Sequence, residues 1–257
     1  MAAEDATTSA APSSADFDLD VSGIAALGDP LRRSLYRYVI SRAGPVNRDQ
    51  VAEGAGVARH VVKFHLDRLA DEGLLAVEYA RPPGRRGPGA GRPAKLYRRA
   101  AREVAVSLPQ RDYRLAGRLL ARAVTDAERE GIAVGLALRR AARRTGRALG
   151  DRARRAAGAR PAPTDLLAAA TGALVECGYE PRTDGTGFVL ANCPFHGLAE
   201  EYTDLVCGMN LELLSGLLEG LHHPDLRARP EPTPGRCCVR LRTTDDRAPE
   251  SERASPS

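Results

Sequence analysis

The sequence of 257 residues lacks the features that would indicate a membrane protein or one of the common enzyme classes. It has no apolar run long enough to cross a bilayer, and its N-terminus is acidic and rich in small residues instead of basic and then apolar. It also lacks a glycine-rich dinucleotide loop, a nucleophile elbow and a carboxylate pair near a histidine. We therefore expect a cytoplasmic protein that neither enters a membrane nor acts as an enzyme.

Cysteine is scarce, with five residues in the whole chain. An odd number of cysteines, crowded into the last third of the sequence, does not resemble the evenly paired scaffold of a small secreted domain. Metal binding or plain burial explains them better.

Basic residues are absent from the first 22 positions and concentrated in the middle of the chain. Residues 1–22 carry five acids, residues 23–158 carry 29 bases and 13 acids, and residues 159–257 carry 9 bases and 15 acids. The middle segment favours a polyanionic partner, because each base that meets a phosphate releases counterions. Nearly all of these bases are arginine, whose use in place of lysine can reflect genome composition, so a solvated basic face is the simpler alternative.

Residues 23–100 predict a winged helix-turn-helix domain that binds DNA. Three helical patterns are followed by two short strand patterns. The third helix, within "ARHVVKFHLDRLADEGLL", has Val62, Leu66 and Leu69 on one side and charged residues on the other. The loop between the strands is rich in glycine, proline and arginine, which is typical of a wing.

The third helix and the wing supply the predicted contacts with a double-stranded DNA operator. A recognition helix enters the major groove with its early residues facing base edges, and arginines on a flexible loop suit the minor groove. The predicted DNA-binding residues are Arg59, His60, Lys63, Phe64, Arg68, Arg85, Arg86 and Arg92. Wing arginines that touch phosphates alone are an alternative, and His65 is interpreted as a core or flanking histidine.

The rest of the chain predicts two further regions and two tails. Residues 108–158 have helical apolar stripes that suit a dimerisation segment, because a two-fold operator needs two recognition helices about 34 Å apart. Residues 162–243 follow the order helix, hairpin, helix, strand, so the predicted fold class is α+β. Residues 1–22 and 244–257 have almost nothing to bury and are predicted to be disordered.

Three cysteines of residues 162–243 are candidate metal ligands. Cys193 precedes a proline at the end of a strand, where a small apolar side chain gains little by packing. Cys207 lies near a helix start, where backbone amides favour a thiolate. The alternation in "CCVRLRT" turns Cys237 toward the core and its neighbour Cys238 the other way.

Thiolates at such irregular spacings suit an iron-sulfur cluster, of the 4Fe-4S type in preference to 2Fe-2S. The C-terminal region is therefore predicted to be a cluster-binding sensor domain, with Cys238, His196 or a small molecule as the fourth ligand. A structural zinc commonly takes two close pairs of ligands, which the sequence does not contain. Zinc binding or a thiol redox switch is the alternative function of these cysteines, and Cys177 is interpreted as buried.

The sequence resembles the SufR-type iron-sulfur-sensing repressors of actinobacteria, which are ArsR-like winged-helix regulators. The resemblance spans residues 23–243 and rests on six motifs in this order: "LGDPLRR", "FHLDRLADEGLL", "GRPAKLY", "NCPFH", "VCGMNLELL" and "PGRCCV". It implies a homodimeric repressor of cluster-assembly genes that senses cluster status or oxidative stress. It places the cluster ligands on Cys193, Cys207 and Cys237, with Cys238 as an additional neighbour.

Overall fold

A computed structural model describes residues 14–80 and 93–244, and these residues form two compact units. The first unit lies within Pro12–Val106 and the second within Ser107–Ser257. Each unit has its own hydrophobic core. Both combine helices with an antiparallel sheet, which confirms the predicted α+β class.

The N-terminal unit packs helices against a small sheet. Its described elements are α1 (Ser14–Ala26), α2 (Pro30–Ile40), β1 (Val46–Asn47), α3 (Arg48–Ala55), α4 (Arg59–Asp71), β2 (Leu75–Ala80) and β3 (Ala94–Arg99). The strands pair in the order β1, β3, β2, and β2 and β3 are the predicted hairpin strands. The core that joins the helices to the sheet includes Leu35, Leu66 and Tyr97.

Two helix starts in this unit follow from the local sequence. Asp29 precedes α2, and its side chain accepts a hydrogen bond from the backbone N–H of Arg32 with an N to Oδ1 distance of 2.8 Å. Asn47 precedes α3 and forms a capping box with Gln50. These caps satisfy backbone donors that have no partner inside the helix.

The helix α1 includes residues 14–22, which the sequence predicted to belong to a disordered tail. The structure differs because side chains distant in sequence contact this segment. Asp20 Oδ1 lies 2.6 Å from Arg102 Nη2, and the hydroxyl of Ser22 donates to Glu72 Oε2 at 2.6 Å. Such partners produce no local pattern, so the helix α1 begins before the predicted boundary at residue 23.

The loop between β2 and β3 falls outside the described residues, from 81 to 92. The predicted wing contacts Arg85, Arg86 and Arg92 belong to this loop, so their role stays a prediction. The strands on either side are described, and Val77 pairs with Tyr97 in antiparallel register. The hairpin that would carry a wing is therefore present.

The C-terminal unit places helices on one four-stranded sheet within the described residues. Its elements are α5 (Tyr113–Glu130), α6 (Val134–Ala156), α7 (Pro163–Glu176), β4 (Pro181–Thr183), β5 (Gly187–Leu190), α8 (His196–Glu201), α9 (Thr203–Leu221), β6 (Leu226–Pro230) and β7 (Val239–Thr243). The strands pair in the order β4, β5, β7, β6. The elements α8 and β6 were not predicted, since neither is long enough to produce a clear periodic pattern.

The helices α6 and α9 cross in close contact at a glycine seam. The seam consists of Gly146, Gly150, Gly216 and Gly220. A Cβ atom at any of these positions would lie 1.9 to 2.2 Å from a backbone oxygen of the opposite helix. Beside the seam, Arg143 Nη1 pairs with Glu212 Oε2 at 2.8 Å. No larger residue fits at the seam without moving one of the two backbones.

The helices α5 and α6 occupy the predicted dimerisation segment, residues 108–158. Leu115, Leu119 and Leu149 from their apolar stripes are buried in the core of the C-terminal unit. The structure therefore packs this segment together with residues 162–243 around one core, whereas the sequence treated the two as separate regions. The homodimer stays a prediction.

Candidate functional site

The helix α4 has a buried face and an exposed face. Val62, His65, Leu66 and Leu69 are buried in the core of the N-terminal unit. The predicted DNA-binding residues of this helix are all exposed, namely Arg59, His60, Lys63, Phe64 and Arg68. This division follows the sequence pattern, because residues three and four apart share one side of a helix.

Acidic side chains hold both arginines of the exposed face. Arg59 Nη2 donates to Asp49 Oδ2, on α3, at 2.6 Å, and Arg68 Nη2 lies 2.5 Å from Glu72 Oε1. Both arginine side chains are more than half exposed. The carboxylate of Asp49 is also about half exposed, so a DNA phosphate can replace it at Arg59 at low cost, whereas the carboxylate of Glu72 is largely buried.

The carboxylate of Asp67 joins α4 to the strand that follows the wing. It accepts hydrogen bonds from Lys63 Nζ at 2.9 Å, from Lys95 Nζ at 2.5 Å and from the hydroxyl of Tyr97 at 2.7 Å. Burial by itself would raise the pKa of Asp67, but the three hydrogen bonds outweigh it and lower the pKa to about 2. Sequence reasoning missed Lys95, whose one signal was its position just after the wing loop.

The aromatic ring of Phe64 stands on the exposed face of α4 with 64% of its surface accessible. It meets the ring of His65 edge-on, with 5.3 Å between ring centroids. His65 itself is buried and accepts a hydrogen bond from Arg32 Nε at 3.3 Å, in agreement with its interpretation as a core histidine. An exposed aromatic ring among cations suits apolar contact with a base edge.

Four cysteines of the C-terminal unit come together from three chain segments. Cys193 follows β5, Cys207 lies in α9, and Cys237 and Cys238 directly precede β7. Cys193, Cys207 and Cys238 line an open cavity of about 340 Å³, which we call the cysteine cavity. Its wall also includes His196, Glu200 and Arg236.

The four thiols form a chain of hydrogen bonds. Cys193 bonds with Cys237, Cys237 with Cys238, and Cys238 with Cys207. The bond with Cys237 lowers the pKa of Cys193 and lowers the pKa of Cys238 to about 6, whereas burial raises the pKa of Cys207 to about 12. Bonds with Cys193 and Cys238 raise the pKa of Cys237. Cys193 and Cys238 are therefore the thiols that ionise most easily.

The neighbours Cys237 and Cys238 differ in burial, but their thiols contact each other instead of facing opposite sides, as the sequence predicted they would. Cys237 and Val239 are buried, whereas Cys238 and Arg240 are half-buried. The strand β7 begins at Val239, so both cysteines lie just before the strand instead of within it. Cys238 lines the cysteine cavity, and Cys237 contacts its thiol from the core.

Two buried amides support the cysteine segments. Asn210 Nδ2 donates to Cys237 Sγ at 3.2 Å, and Asn210 Oδ1 accepts a hydrogen bond from the hydroxyl of Tyr179. Asn192 Nδ2 donates to the carbonyl oxygen of Gly178 at 2.6 Å. Sequence reasoning missed both amides. The signal for Asn210 was a polar residue inside the apolar helical run of "VCGMNLELL".

The remaining cysteine, Cys177, directly follows α7 and is buried, as the sequence predicted. Burial raises its pKa to about 12, so this thiol stays protonated at neutral pH. It is not among the residues that line the cysteine cavity, and it has the properties of a structural cysteine.

The donor set around the cysteine cavity suits a polynuclear cluster. Within residues 14–80 and 93–244, no three His, Cys, Asp or Glu side chains are already arranged to hold one metal ion. An iron-sulfur cluster makes a different demand, since its cysteine ligands are shared among several iron atoms and need not all surround one metal ion. Thiols from three segments around an open cavity meet that demand in residue type and number.

Comparison with known proteins identifies the N-terminal unit. Residues 27–78 match the model of a helix-turn-helix domain. No curated protein and no solved structure gives a significant match to the chain. In the part of the chain that the structure describes, every helix is too short or too polar to span a membrane. The chain is a DNA-binding transcriptional regulator with a winged helix-turn-helix domain.

Proposed function

We propose that the chain is a transcriptional repressor whose DNA binding depends on an iron-sulfur cluster in its C-terminal unit. The N-terminal unit binds a double-stranded operator, and gain or loss of the cluster changes the affinity for that operator. The controlled genes are those of cluster assembly, as in the SufR-type repressors that the sequence resembles. The observation that carries the proposal is the meeting of cysteines from three segments at one cavity.

The chemistry of the cysteine cavity supports a cluster. Iron-sulfur clusters are held by thiolates at varied sequence spacings, and individual positions can be taken by other ligands. Cys193, Cys207 and the pair Cys237 and Cys238 would supply the thiolates, and His196 is a further candidate at the cavity wall. Two of these thiols have a lowered pKa, which favours the ionised form that binds iron.

Two residues that precede α5, Arg111 and Asp112, form hydrogen bonds with the backbone at Cys193 and Pro194. Arg111 Nη1 donates to the carbonyl oxygen of Cys193 at 3.3 Å, and the backbone N–H of Asp112 donates to the carbonyl oxygen of Pro194 at 3.0 Å. When bound, the cluster supplies a redox centre that oxidants and iron shortage remove. We propose that the backbone at Cys193 then shifts and, through these hydrogen bonds, moves the start of α5, which follows the DNA-binding unit in sequence.

The exposed face of α4 supports operator binding. Its cations and the ring of Phe64 suit the major groove, where base edges and phosphates are both within reach. A two-fold operator requires two such helices, which a homodimer supplies. The wing residues Arg85, Arg86 and Arg92 would add contacts in the adjacent minor groove.

The decisive test is anaerobic purification followed by measurement of iron, acid-labile sulfide and the visible spectrum. We expect a coloured protein that contains iron and sulfide, and we expect Cys207→Ser to lose most of both. Cys177→Ser is the matched control, because Cys177 is a buried cysteine of the same unit and should leave the colour unchanged. A wild-type protein that stays colourless and iron-free after reconstitution would contradict the proposal.

The regulatory part needs its own experiment. A gel shift with and without the cluster, on an operator selected from random duplexes, measures the affinity of each form. We expect the two forms to differ in affinity at least tenfold, which corresponds to about 1.4 kcal/mol. Equal affinities would show that the cluster does not control DNA binding.

A thiol redox switch is the second candidate function, and the close approach of the thiols of Cys207 and Cys238 favours it. Cys238 bonds with Cys207, and its pKa of about 6 makes it largely a thiolate at neutral pH. Peroxide would take two electrons and two protons from such a pair, and a disulfide would form. Mass spectrometry of metal-free protein after peroxide treatment detects the loss of two hydrogens, and elemental analysis detects zinc. A disulfide or zinc in a protein that takes up no iron would favour this alternative.

A further inference from the structure

A buried amide is directed at the pair of neighbouring cysteines. Asn210 lies in α9 and has no exposed surface. Its Nδ2 atom donates a hydrogen bond to Cys237 Sγ at 3.2 Å, and its side chain also lies beside the thiol of Cys238. On its other side, the Oδ1 atom accepts a hydrogen bond from the hydroxyl of Tyr179, which is also buried. The amide therefore links a tyrosine in the core to two candidate ligands.

The hydroxyl of Tyr179 fixes the direction of this amide. A hydroxyl that donates to Asn210 must meet its carbonyl end, so the NH2 end faces the cysteines. An amide buried without partners is costly, and here each end of the group has one.

The other buried amide of this unit differs in the acceptors that it uses. Asn192 donates to the carbonyl oxygens of Gln110 at 2.9 Å and of Gly178 at 2.6 Å, and so joins backbone segments. Asn210 instead directs its donors at sulfur atoms. A thiol is a weak acceptor, whereas an ionised thiolate accepts a much stronger hydrogen bond. The hydrogen bond from Asn210 to sulfur would therefore become strong when the thiols ionise to bind a metal, which indicates a role for Asn210 in the metal-bound state.

We propose that Asn210, oriented by Tyr179, donates hydrogen bonds to the ligand sulfurs of Cys237 and Cys238 and thereby raises the reduction potential of the iron-sulfur cluster. The inference rests on the proposed function, because it requires the cluster. Asn210 acts through the cysteines as a positioning residue.

The physical reason lies in the charge of the two redox states. Reduction adds one electron to the cluster from an external low-potential reductant, and no bond to the protein forms or breaks. The added negative charge falls partly on the sulfurs, so hydrogen bonds to sulfur stabilise the reduced state more than the oxidised state. Asn210 thus makes the cluster harder to oxidise and sets the strength of oxidant to which the regulator responds.

The test is a redox titration of the reconstituted full-length protein and its variants, with dithionite as reductant and the visible and electron paramagnetic resonance spectra as readouts. Asn210→Leu keeps the branched arrangement of four side-chain heavy atoms and removes the donors. We expect its potential to fall by enough to change the reduction equilibrium tenfold, which is about 59 mV for one electron. Tyr179→Phe keeps Asn210 but releases its orientation, so we expect a smaller fall in the same direction.

The matched control is Leu214→Ala, one turn after Asn210 in the same helix. Leu214 is fully buried, so the variant loosens the packing and lowers the melting temperature without removing a donor to sulfur. We expect its potential to equal that of the wild type. If Asn210→Leu does not fold, the comparison of Tyr179→Phe with Leu214→Ala decides the question.

The outcomes separate this inference from the proposed function. Equal potentials in wild type, Asn210→Leu and Tyr179→Phe would overturn the inference and leave the cluster proposal intact. The inference also fails if Leu214→Ala shifts the potential as far as Asn210→Leu, since loosened packing then explains the change. If the reconstituted wild type holds no iron and sulfide, the proposed function fails and the inference fails with it.

Discussion

The two units of the chain present their candidate functional side chains in opposite ways. In the N-terminal unit they are long, mostly cationic and exposed on one helix, α4. In the C-terminal unit they are short, largely buried cysteines that come from three segments between residues 193 and 238. A polyanion can be bound by flexible cationic side chains that lie near its phosphates, whereas a metal cluster needs ligand sulfur atoms at fixed distances. The first site therefore tolerates side-chain motion, and the second requires a rigid frame.

The largest expected effect tests the exposed site alone. Each DNA contact is worth roughly 1–3 kcal/mol, so Arg59→Ala combined with Lys63→Ala should weaken operator binding about 100-fold. Iron content and colour should not change. Fluorescence anisotropy at fixed salt measures the affinity, and Arg118→Ala, an exposed arginine of α5, is the control with unchanged affinity. A double variant that footprints like the wild type would place the recognition helix elsewhere.

The next effect tests the rigid frame. In Gly146→Ala the new Cβ would lie 1.9 Å from the carbonyl oxygen of Leu213, and overpacking of this kind costs about 1–3 kcal/mol. We expect a lower free energy of unfolding for the C-terminal unit in urea titrations and weaker cluster retention. Gly117→Ala in α5 is the control, since nothing lies within 4 Å of its Cβ position and the change should be neutral or stabilising. If Gly146→Ala and Gly117→Ala were equally stable, the close backbone contact of α6 with α9 at Gly146 would be contradicted.

A smaller effect depends on pH and belongs to the N-terminal unit. Hydrogen bonds hold the pKa of Asp67 at about 2 against burial, below its unfolded value of about 3.9. Asp67 therefore contributes stability above pH 4, and the contribution is lost as the pH falls from about 4 toward 2. After allowance for its partial exposure, the contribution is about 1 kcal/mol. Asp67→Asn should flatten the fall in unfolding free energy with pH, whereas Asp71→Asn, an exposed carboxylate of the same helix, should not.

The smallest effect sharpens the role of Phe64. Apolar contact with a thymine methyl group is worth about 0.8 kcal/mol, so Phe64→Ala should weaken binding a few-fold. Replacement of thymine by uracil in the operator should weaken the wild type by a similar factor and leave the variant unaffected. Anisotropy titrations of both proteins on both duplexes measure this coupling. Additive losses would mean that Phe64 does not contact a methyl group.

Much of the N-terminal unit could be predicted from sequence because its signals are local. The capping box of Asn47 and Gln50 and the apolar stripe through Val62 and Leu66 each lie within one helix. The helix α1 could not be predicted, because Asp20 is held by Arg102 from the far end of the unit. Local patterns therefore located the exposed face of α4 but missed the helix α1.

The C-terminal unit could be predicted less completely. Residue type and strand alternation singled out Cys193, Cys207, Cys237 and Cys238 as candidates, and the structure brings these side chains together. The partnership of Asn210 with Tyr179 joins a helix to a segment before β4, and no periodicity connects them. The shared core of residues 108–158 and 162–243 was also missed. The contact between α6 and α9 is made at glycines, which have no side chain and so add nothing to a periodic apolar pattern.

The glycine seam also determines where this unit is free to change. The backbones of α6 and α9 touch at Gly216 and Gly220, whereas nearer the start of α9, at Gly208, the facing atom is the tip of the Arg139 side chain. The helix α9, which carries Cys207 near its start, is thus fixed against α6 in its C-terminal half. Substitutions in the first turns of α9 can therefore change the shape of the cysteine cavity, while the glycine seam keeps the helix in place.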